Sequence, residues 1–351
     1  MVHVRSTRGQ PIGVMMSGLQ FQHAKVMLFD PVRDNMRTTR FTLQQIGFVE
    51  VDSASTLAEL MAGLEDKTPH LLIMETGDCE EQIFDIVRQI RYGDLTMNPF
   101  MSILLTGWKP EPRIINQSIG SGADDLMMRP FSTNFVKDRI KTLALARKPF
   151  IVTSDYTGPD RRRDTSRKSG LKPIETPNLL KSVLQDQTEE IMAHRTAVEQ
   201  VNAKVQSERL RRLCMRLIIG AEAALSEMND GHEPKVDTSE FERSAATLRK
   251  QLRHVRSTTA AKISNAVCDG AAELAKPSGL TIANFKNLKE LSFAVYSAYC
   301  GGEGLERSAD EIAQAAAALR KRMGSAQRQL EAKQQSSAGA SQAGTLHSEA
   351  S

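Results

Sequence analysis

Short apolar runs and amphipathic stretches alternate along the first 150 residues. The runs at 25–30 (KVMLFD), 48–52 (FVEVD), 70–75 (HLLIME), 102–106 (SILLT) and 125–129 (DLMMR) are nearly continuous in apolar residues. Strands buried on both faces have this composition. The stretches between and after them, 33–46, 56–64, 81–91, 112–120 and 132–146, place apolar residues three or four positions apart, the helical period. Five strands alternating with five helices predict an α/β fold, a doubly wound parallel sheet with right-handed crossovers, over 23–148. Residues 1–22 show no period and are expected to be disordered.

The pattern changes after Pro149. Residues 149–176 carry Pro149, Pro159 and Pro173 together with a run of basic residues, and Pro177 follows. This segment is expected to be a linker. An all-α hairpin or bundle is expected over 177–325. Thr176-Pro177 would open a long helix reaching about Leu225, with Ile191, Val198 and Val205 seven residues apart. After a loop at Asn229–Pro234, Ser239 and Glu242 have the spacing of a capping box. A second long helix is expected from about 239 to 275, presenting Phe241, Ala245, Leu248, Leu252 and Val255 as a seam. Helices over 283–299 and from Ser308 to Gly324 would follow, and the low-complexity tail 326–351 reads as disordered. Of the 17 aromatic residues, ten lie between Phe29 and Phe150 and six beyond, so the larger aromatic core belongs to the sheet.

Charge sharpens this division. The net charge of +4 resides in 160–172, which holds six basic and two acidic residues and leaves 40 of each elsewhere. A neutral remainder argues against an extended nucleic-acid-binding face. No apolar run approaches the roughly 18 residues of a membrane span, and the first residues lack the pattern of a secretory signal. Cys79, Cys214, Cys268 and Cys300 are too widely spaced for a metal site or a disulfide scaffold, which points to a cytoplasmic protein.

In an open parallel sheet, chemistry collects at the carboxyl ends of the strands. Here those ends carry Asp30, Glu75, Thr106 and Arg129, the last followed by Pro130 and Phe131. With KVMLFD, HLLIME, ILLTG and GADDLMMRPF at these spacings, residues 24–147 resemble the receiver domain of bacterial response regulators. The resemblance implies a five-stranded flavodoxin-like fold, and as its usual chemistry the Mg²⁺-assisted transfer of a phosphoryl group from a kinase histidine to an aspartate. The chain departs from that pattern at most reacting positions. Asp30 is followed by Pro31 where a second acid is expected. Glu75 stands at the phosphoacceptor position, Arg129 replaces a lysine, and Leu126 occupies the usual place of an aromatic switch residue.

The physics of these replacements points to a closed pocket. A Mg²⁺ site that has lost one carboxylate is weakened, leaving Asp30 and Glu75 as weak candidate ligands. Glutamate displaces its carboxylate by one methylene, which spoils in-line attack. Arginine forks onto carboxylates, so an internal Glu75–Arg129 ion pair is expected. The degenerate phosphoacceptor pocket is therefore Asp30, Glu75, Thr106 and Arg129, with Trp108 and Leu126 as candidate interaction residues and no cofactor expected. The function this implies is a non-catalytic signalling adaptor, a pseudo-receiver fused to a helical output or oligomerisation module. Its partner would be a protein, a histidine kinase or another response regulator, with a homodimer formed through the helical half. Two alternatives stand beside it: a phosphoryl-accepting regulator using Glu75 or Asp78, and a nucleic-acid-associated regulator using Arg161–Arg163 of the linker. His194 and His254 each resemble a fragment of a phosphotransfer motif without its context, and His194 reads as a solvated helix position. The cysteines read as small apolar residues.

Overall fold

The computed structural model describes residues 18–162, 171–253 and 258–300, the side chains of Asp78, Thr258 and Cys300 excepted. Contacts divide the chain into two compact units that meet between Ser207 and Glu208. In the first, β1 (Val26–Phe29), β2 (Val51–Ala54), β3 (Leu71–Glu75), β4 (Ser102–Gly107) and β5 (Asp125–Met128) form a wholly parallel sheet in the order β2-β1-β3-β4-β5. That is the flavodoxin-like strand order. The connecting helices are α1 (Arg33–Ile46), α2 (Leu57–Asp66), α3 (Glu80–Tyr92), α4 (Pro112–Ser121) and α5 (Thr133–Leu145). Successive strand residues point to opposite faces, so each strand feeds two cores. Val26, Leu28, Leu71, Ile73, Leu104 and Met127 pack under α1 and α5. Met27, Phe29, Leu72, Met74, Ile103 and Leu105 pack under α2, α3 and α4. The Thr56–Glu59 capping box opens α2, and Ser132 caps α5 by accepting the Phe135 amide.

The structure differs from the sequence-based expectation at both borders of this unit. At the end of the segment expected to be disordered, Phe21–His23 form a 3₁₀ turn, and the buried Phe21 ring meets Phe48 edge-on at 5.3 Å. The expected linker is structured too. β6 (Phe150–Val152) and β7 (Thr157–Pro159) pair antiparallel, and Phe150 exchanges two backbone hydrogen bonds of 2.8 Å with Ile174. Phe150 is fully buried against Phe100. At Gly122, φ is +99°, and a Cβ would stand 2.6 Å from the Thr157 carbonyl oxygen, so only glycine allows β7 to pack there. The helix expected to begin at Pro177 is two helices, α6 (Leu179–Leu184) and α7 (Thr188–Asn229). Asn178 caps α6 and also donates to the Leu143 and Ala144 carbonyls at the end of α5. Leu180, Val183 and Leu184 join the core under α1 and α5. The heptad on α7 likewise faces the sheet unit: Val198 and Val205 pack with Phe100, Phe150 and Val152, and Ile191 packs against the α1–α5 side.

The second unit is helical. The remainder of α7 packs Leu210, Leu213, Leu217, Ile218 and Leu225 into one core with α8 (Thr238–Leu252), α9 (Thr258–Leu274) and α10 (Ile282–Cys300). The helix expected over 239–275 is thus α8 and α9, two helices packed on one another. The expected capping box at Ser239 and Glu242 is replaced by Asp237, which accepts the Ser239 amide at 3.0 Å. Phe241, Ala245, Leu248 and Leu252 are all buried, and Phe241 meets Phe285 at 6.2 Å. The seam is filled by this chain's own helices. Val255 and His254, the helix expected at 308–324 and the tail 326–351 lie outside the described residues.

Candidate functional site

The crevice between β1 and β3 is where the strand order reverses, and the two carboxylates stand at its lips. Asp30 follows β1 and Glu75 ends β3, exposed by 0% and 2%. Arg129 follows β5, its amide bonded to the Gly107 carbonyl at 2.8 Å. From there the guanidinium bridges both acids. Nε donates to Glu75 Oε2 at 2.7 Å and one terminal nitrogen donates to Asp30 Oδ2 at 3.0 Å. The same terminal nitrogen donates to Thr39 Oγ1 at 2.9 Å. Thr39 sits on α1 and gives its own hydroxyl proton to the Asn35 carbonyl, which leaves a lone pair for Arg129. The Thr106 hydroxyl donates to Glu75 Oε2 at 2.7 Å, and the Val32 amide donates to Asp30 Oδ1 at 2.9 Å.

The four pocket residues expected from the sequence, Asp30, Glu75, Thr106 and Arg129, therefore enter one network, and Thr39 joins it. Leu126 packs, half-buried, against the core under α2 to α4. Thr39 carried one signal, a polar residue on the apolar stripe of α1 with Leu43 and Ile46. Trp108 is 53% exposed, and the Arg129 guanidinium lies 6.0 Å from its ring centroid and 4.8 Å from that of Phe131. Asp78 lies in the 3₁₀ turn Gly77–Cys79, and its side chain is outside the described set. Burial pushes the Asp30 carboxyl up to about 6; the Val32 amide and Arg129 oppose this, and Glu75 adds to it. Two carboxylates already clamped by a guanidinium, with Pro31 supplying no third, do not fit a Mg²⁺ site, which needs free oxygen ligands in near-octahedral array. Among the described residues no group of three or more acidic, histidine or cysteine side chains could hold a metal.

A second buried charge cluster lies at the amino ends of β4 and β5, and nothing in the residue pattern announced it. Arg91, wholly buried on α3, donates to Asp124 Oδ2 at 2.8 Å and to the carbonyls of Gly122, Pro99 and Met101. Arg147 donates to the same carboxylate at 2.7 and 3.0 Å. Both guanidiniums lie over the Phe150 ring, at 5.2 and 5.0 Å from its centroid. The cluster fixes the β6–β7 hairpin against the sheet. Arg161 donates to the Ala123 carbonyl and Arg162 forks onto Asp160, so two of the three arginines expected in a free basic run are engaged by the protein's own groups. Arg163 lies outside the described residues. His194, expected on a solvated face, lies within 3.2 Å of Asn98 through Nε2. No helix among the described residues is long and apolar enough to cross a membrane.

No protein-family model and no curated protein matches the chain. Among solved structures, its sheet unit is similar to a signal receiver domain of a two-component histidine kinase from Clostridium thermocellum, at 16% identity and a TM-score of 0.31, covering 34% of this chain and 96% of that one. A response regulator from Thermotoga maritima (22% identity) and the chemotaxis protein CheY4 from Vibrio cholerae (21% identity) match with the same coverage and TM-score.

Proposed function

We propose that the sheet unit is a receiver-type signalling domain that has given up phosphoryl transfer and works as a non-catalytic adaptor. The observation that carries this reading is the bridge from Arg129 to both Asp30 and Glu75. The carboxylates that would hold a metal ion or attack a phosphoryl group are spent on a fixed internal cation, and in phosphoryl transfer positioning is nearly all of the catalysis. The motifs of 24–147 and the strand order give the class. The partner is then a protein, a histidine kinase or another response regulator, approaching the surface that carries Trp108. Tryptophan beside a guanidinium is the composition of an interface anchor.

Acetyl phosphate or beryllofluoride with Mg²⁺ tests this. Trp108 is the single tryptophan and stands against the pocket, so its fluorescence reports any reorganisation there. The wild type should show no change, whereas the variant combining Pro31→Asp, Glu75→Asp and Arg129→Lys should respond saturably. Saturable quenching of the wild type, abolished by Glu75→Ala or Asp78→Ala, would overturn the proposal in favour of a phosphoryl-accepting regulator.

A further inference from the structure

The sheet unit contains a cleft of about 750 Å³ far from the carboxylate crevice, where the first turns of α7 cross the α2–β3 and α3–β4 connections. Its size is within the roughly 300–1,000 Å³ of small-molecule sites. Leu64, Leu95, Met101, Ile191 and Val198 supply apolar walls. Two histidines line it, and the hydrogen bonds fix where each carries its proton. His70 Nδ1 accepts the Lys25 amide at 3.0 Å, so the neutral ring bears its hydrogen on Nε2. Asn98 Oδ1 accepts the Phe100 amide at 3.0 Å, which turns the Asn98 amino group toward His194 Nε2 at 3.2 Å. An amide NH₂ only donates, so His194 Nε2 accepts and its hydrogen sits on Nδ1.

Both rings are neutral at pH 7. Burial lowers both pKa values, that of His70 to about 4, where the Lys25 charge adds to the effect and Glu50 opposes it. Among the described residues neither the His70 Nε2–H nor the His194 Nδ1–H has a protein acceptor. The ionic side chains at the mouth are exposed or paired: Glu65 and Asp94 stand at the rim, Lys67 pairs with Asp52 at 2.7 Å, and Arg195 pairs with Glu199 at 3.2 Å. The cleft thus offers apolar walls and two neutral donors awaiting acceptors.

We propose that this cleft is a binding site for a small apolar molecule carrying an acceptor oxygen, a ketone or a carboxylate, held by the N–H groups of His70 and His194. An ammonium head group would face the two N–H donors inside and is disfavoured there. Because the cleft rests on α7, which continues unbroken to Asn229 in the helical unit, a ligand here would act on the element that joins the two units.

Three probes of equal chain length separate head-group chemistry from simple greasiness: decanoate, 2-decanone and decylamine, titrated calorimetrically into the full chain. The imidazole signals of His70 and His194 are followed by NMR. At least one acceptor probe should bind with 1:1 saturation, at least tenfold more tightly than decylamine, and shift both imidazole signals. His70→Phe and His194→Phe should each weaken it about tenfold, the loss of one hydrogen bond. Leu95→Trp, which fills the cleft and spares the histidines, should abolish binding and keeps the test decisive should a histidine variant fail to fold. Equal binding of decylamine, indifference to both histidine changes, or no binding by any probe would overturn the assignment. So would a deletion of residues 2–17 that moves both imidazole signals before a probe is added, since the chain would then occupy its own cleft.

Discussion

Replacing Arg129 by Met keeps much of the side-chain volume and removes the charge that closes the pocket. Asp30 Oδ2 then loses its Arg129 donor at 3.0 Å, and Glu75 Oε2 keeps only the Thr106 hydroxyl. Both carboxylates are at most 2% exposed, so water cannot replace the guanidinium without opening the crevice. Breaking one side of a buried ion pair typically costs about 3–5 kcal/mol, because it strands an uncompensated charge. We expect a loss of that size at pH 8, read from urea unfolding followed by Trp108 fluorescence, which reports this unit alone. The pH dependence gives the sign. In the wild type the Asp30 carboxyl titrates at about 6 when folded against 3.8 when unfolded. The native state therefore holds more protons between those values. The contribution of Asp30 is full below pH 3.8 and falls as pH rises through 6, by about 3 kcal/mol at most. Removing Arg129 removes an attraction that lowers the Asp30 value, so the carboxyl moves further up and the window widens. The cost of Arg129→Met should then be smaller at pH 5 than at pH 8 by about 1–2 kcal/mol, since Asp30 is protonated at the lower pH. A cost below about 1 kcal/mol at pH 8, or the same cost at both pH values, would refute the argument that Arg129 neutralises two buried acids.

Leu248→Asp should melt the helical unit, with a loss of more than about 3 kcal/mol seen as a drop in helical circular dichroism, because it puts a charge at a wholly buried position. The homodimer expected through this half should be measured on the full chain by light scattering; a monomer would agree with a seam already filled by α7, α9 and α10. Changing Arg161 and Arg162 to Ala should leave the affinity for a protein partner unchanged. The same change should make the β6–β7 hairpin easier to cut by limited proteolysis, since Arg161 ties it to the Ala123 carbonyl.

What the sequence disclosed follows from what local pattern encodes. Doubly buried strands and period-3.6 helices have distinct signatures, and all five of each form within a few residues of the expected places. The largest strand discrepancy is β2, where Phe48 precedes the strand and packs against Phe21 instead. Glu75 and Arg129 were legible as a pair because strand ends in this topology converge, and the charge on each strand end can be read directly. Thr39 was not, because a threonine on a helix can bond its own backbone and does so here. The heptad of Ile191, Val198 and Val205 announced a face needing cover and carried no address. A flank of the sheet unit covers it, where a second helix was expected. The hairpin was missed because three-residue strands fall below any periodicity, and the flanking Pro149, Pro159 and the basic run from Arg161 read as a linker. Nothing in the residue pattern singled out Arg91; only the fold places Asp124, three carbonyls and the Phe150 ring around it.

The two buried charge clusters are built to opposite ratios, and this determines which of them senses pH. The crevice holds two carboxylates and one guanidinium, so one acid is in excess, and Asp30 is the group whose pKa rises, to about 6. At the other end of the sheet two guanidiniums share one carboxylate. There the excess group is a base, and burial lowers Arg91 to about 10, while Arg147 and Arg91 hold Asp124 below its usual value despite burial. A carboxyl whose folded pKa is lowered contributes stability that is complete above 3.8 and lost only below it. Neither end of that titration, nor that of Arg91, falls between pH 5 and 8. Asp124→Asn strands two buried arginines and should cost about 3–5 kcal/mol by the same reasoning as Arg129→Met. Removing Asp124 also removes the attraction that raises the Arg91 value, so Arg91 moves below 10 and the cost should be equal at pH 5 and pH 8 or smaller at pH 8, the reverse of Arg129→Met. Measured side by side in urea, the two variants separate the causes. A cost of Asp124→Asn that grows from pH 5 to pH 8 would mean that the excess charge at the amino end is not carried by an arginine, and the account of both clusters by their charge ratio would fail together.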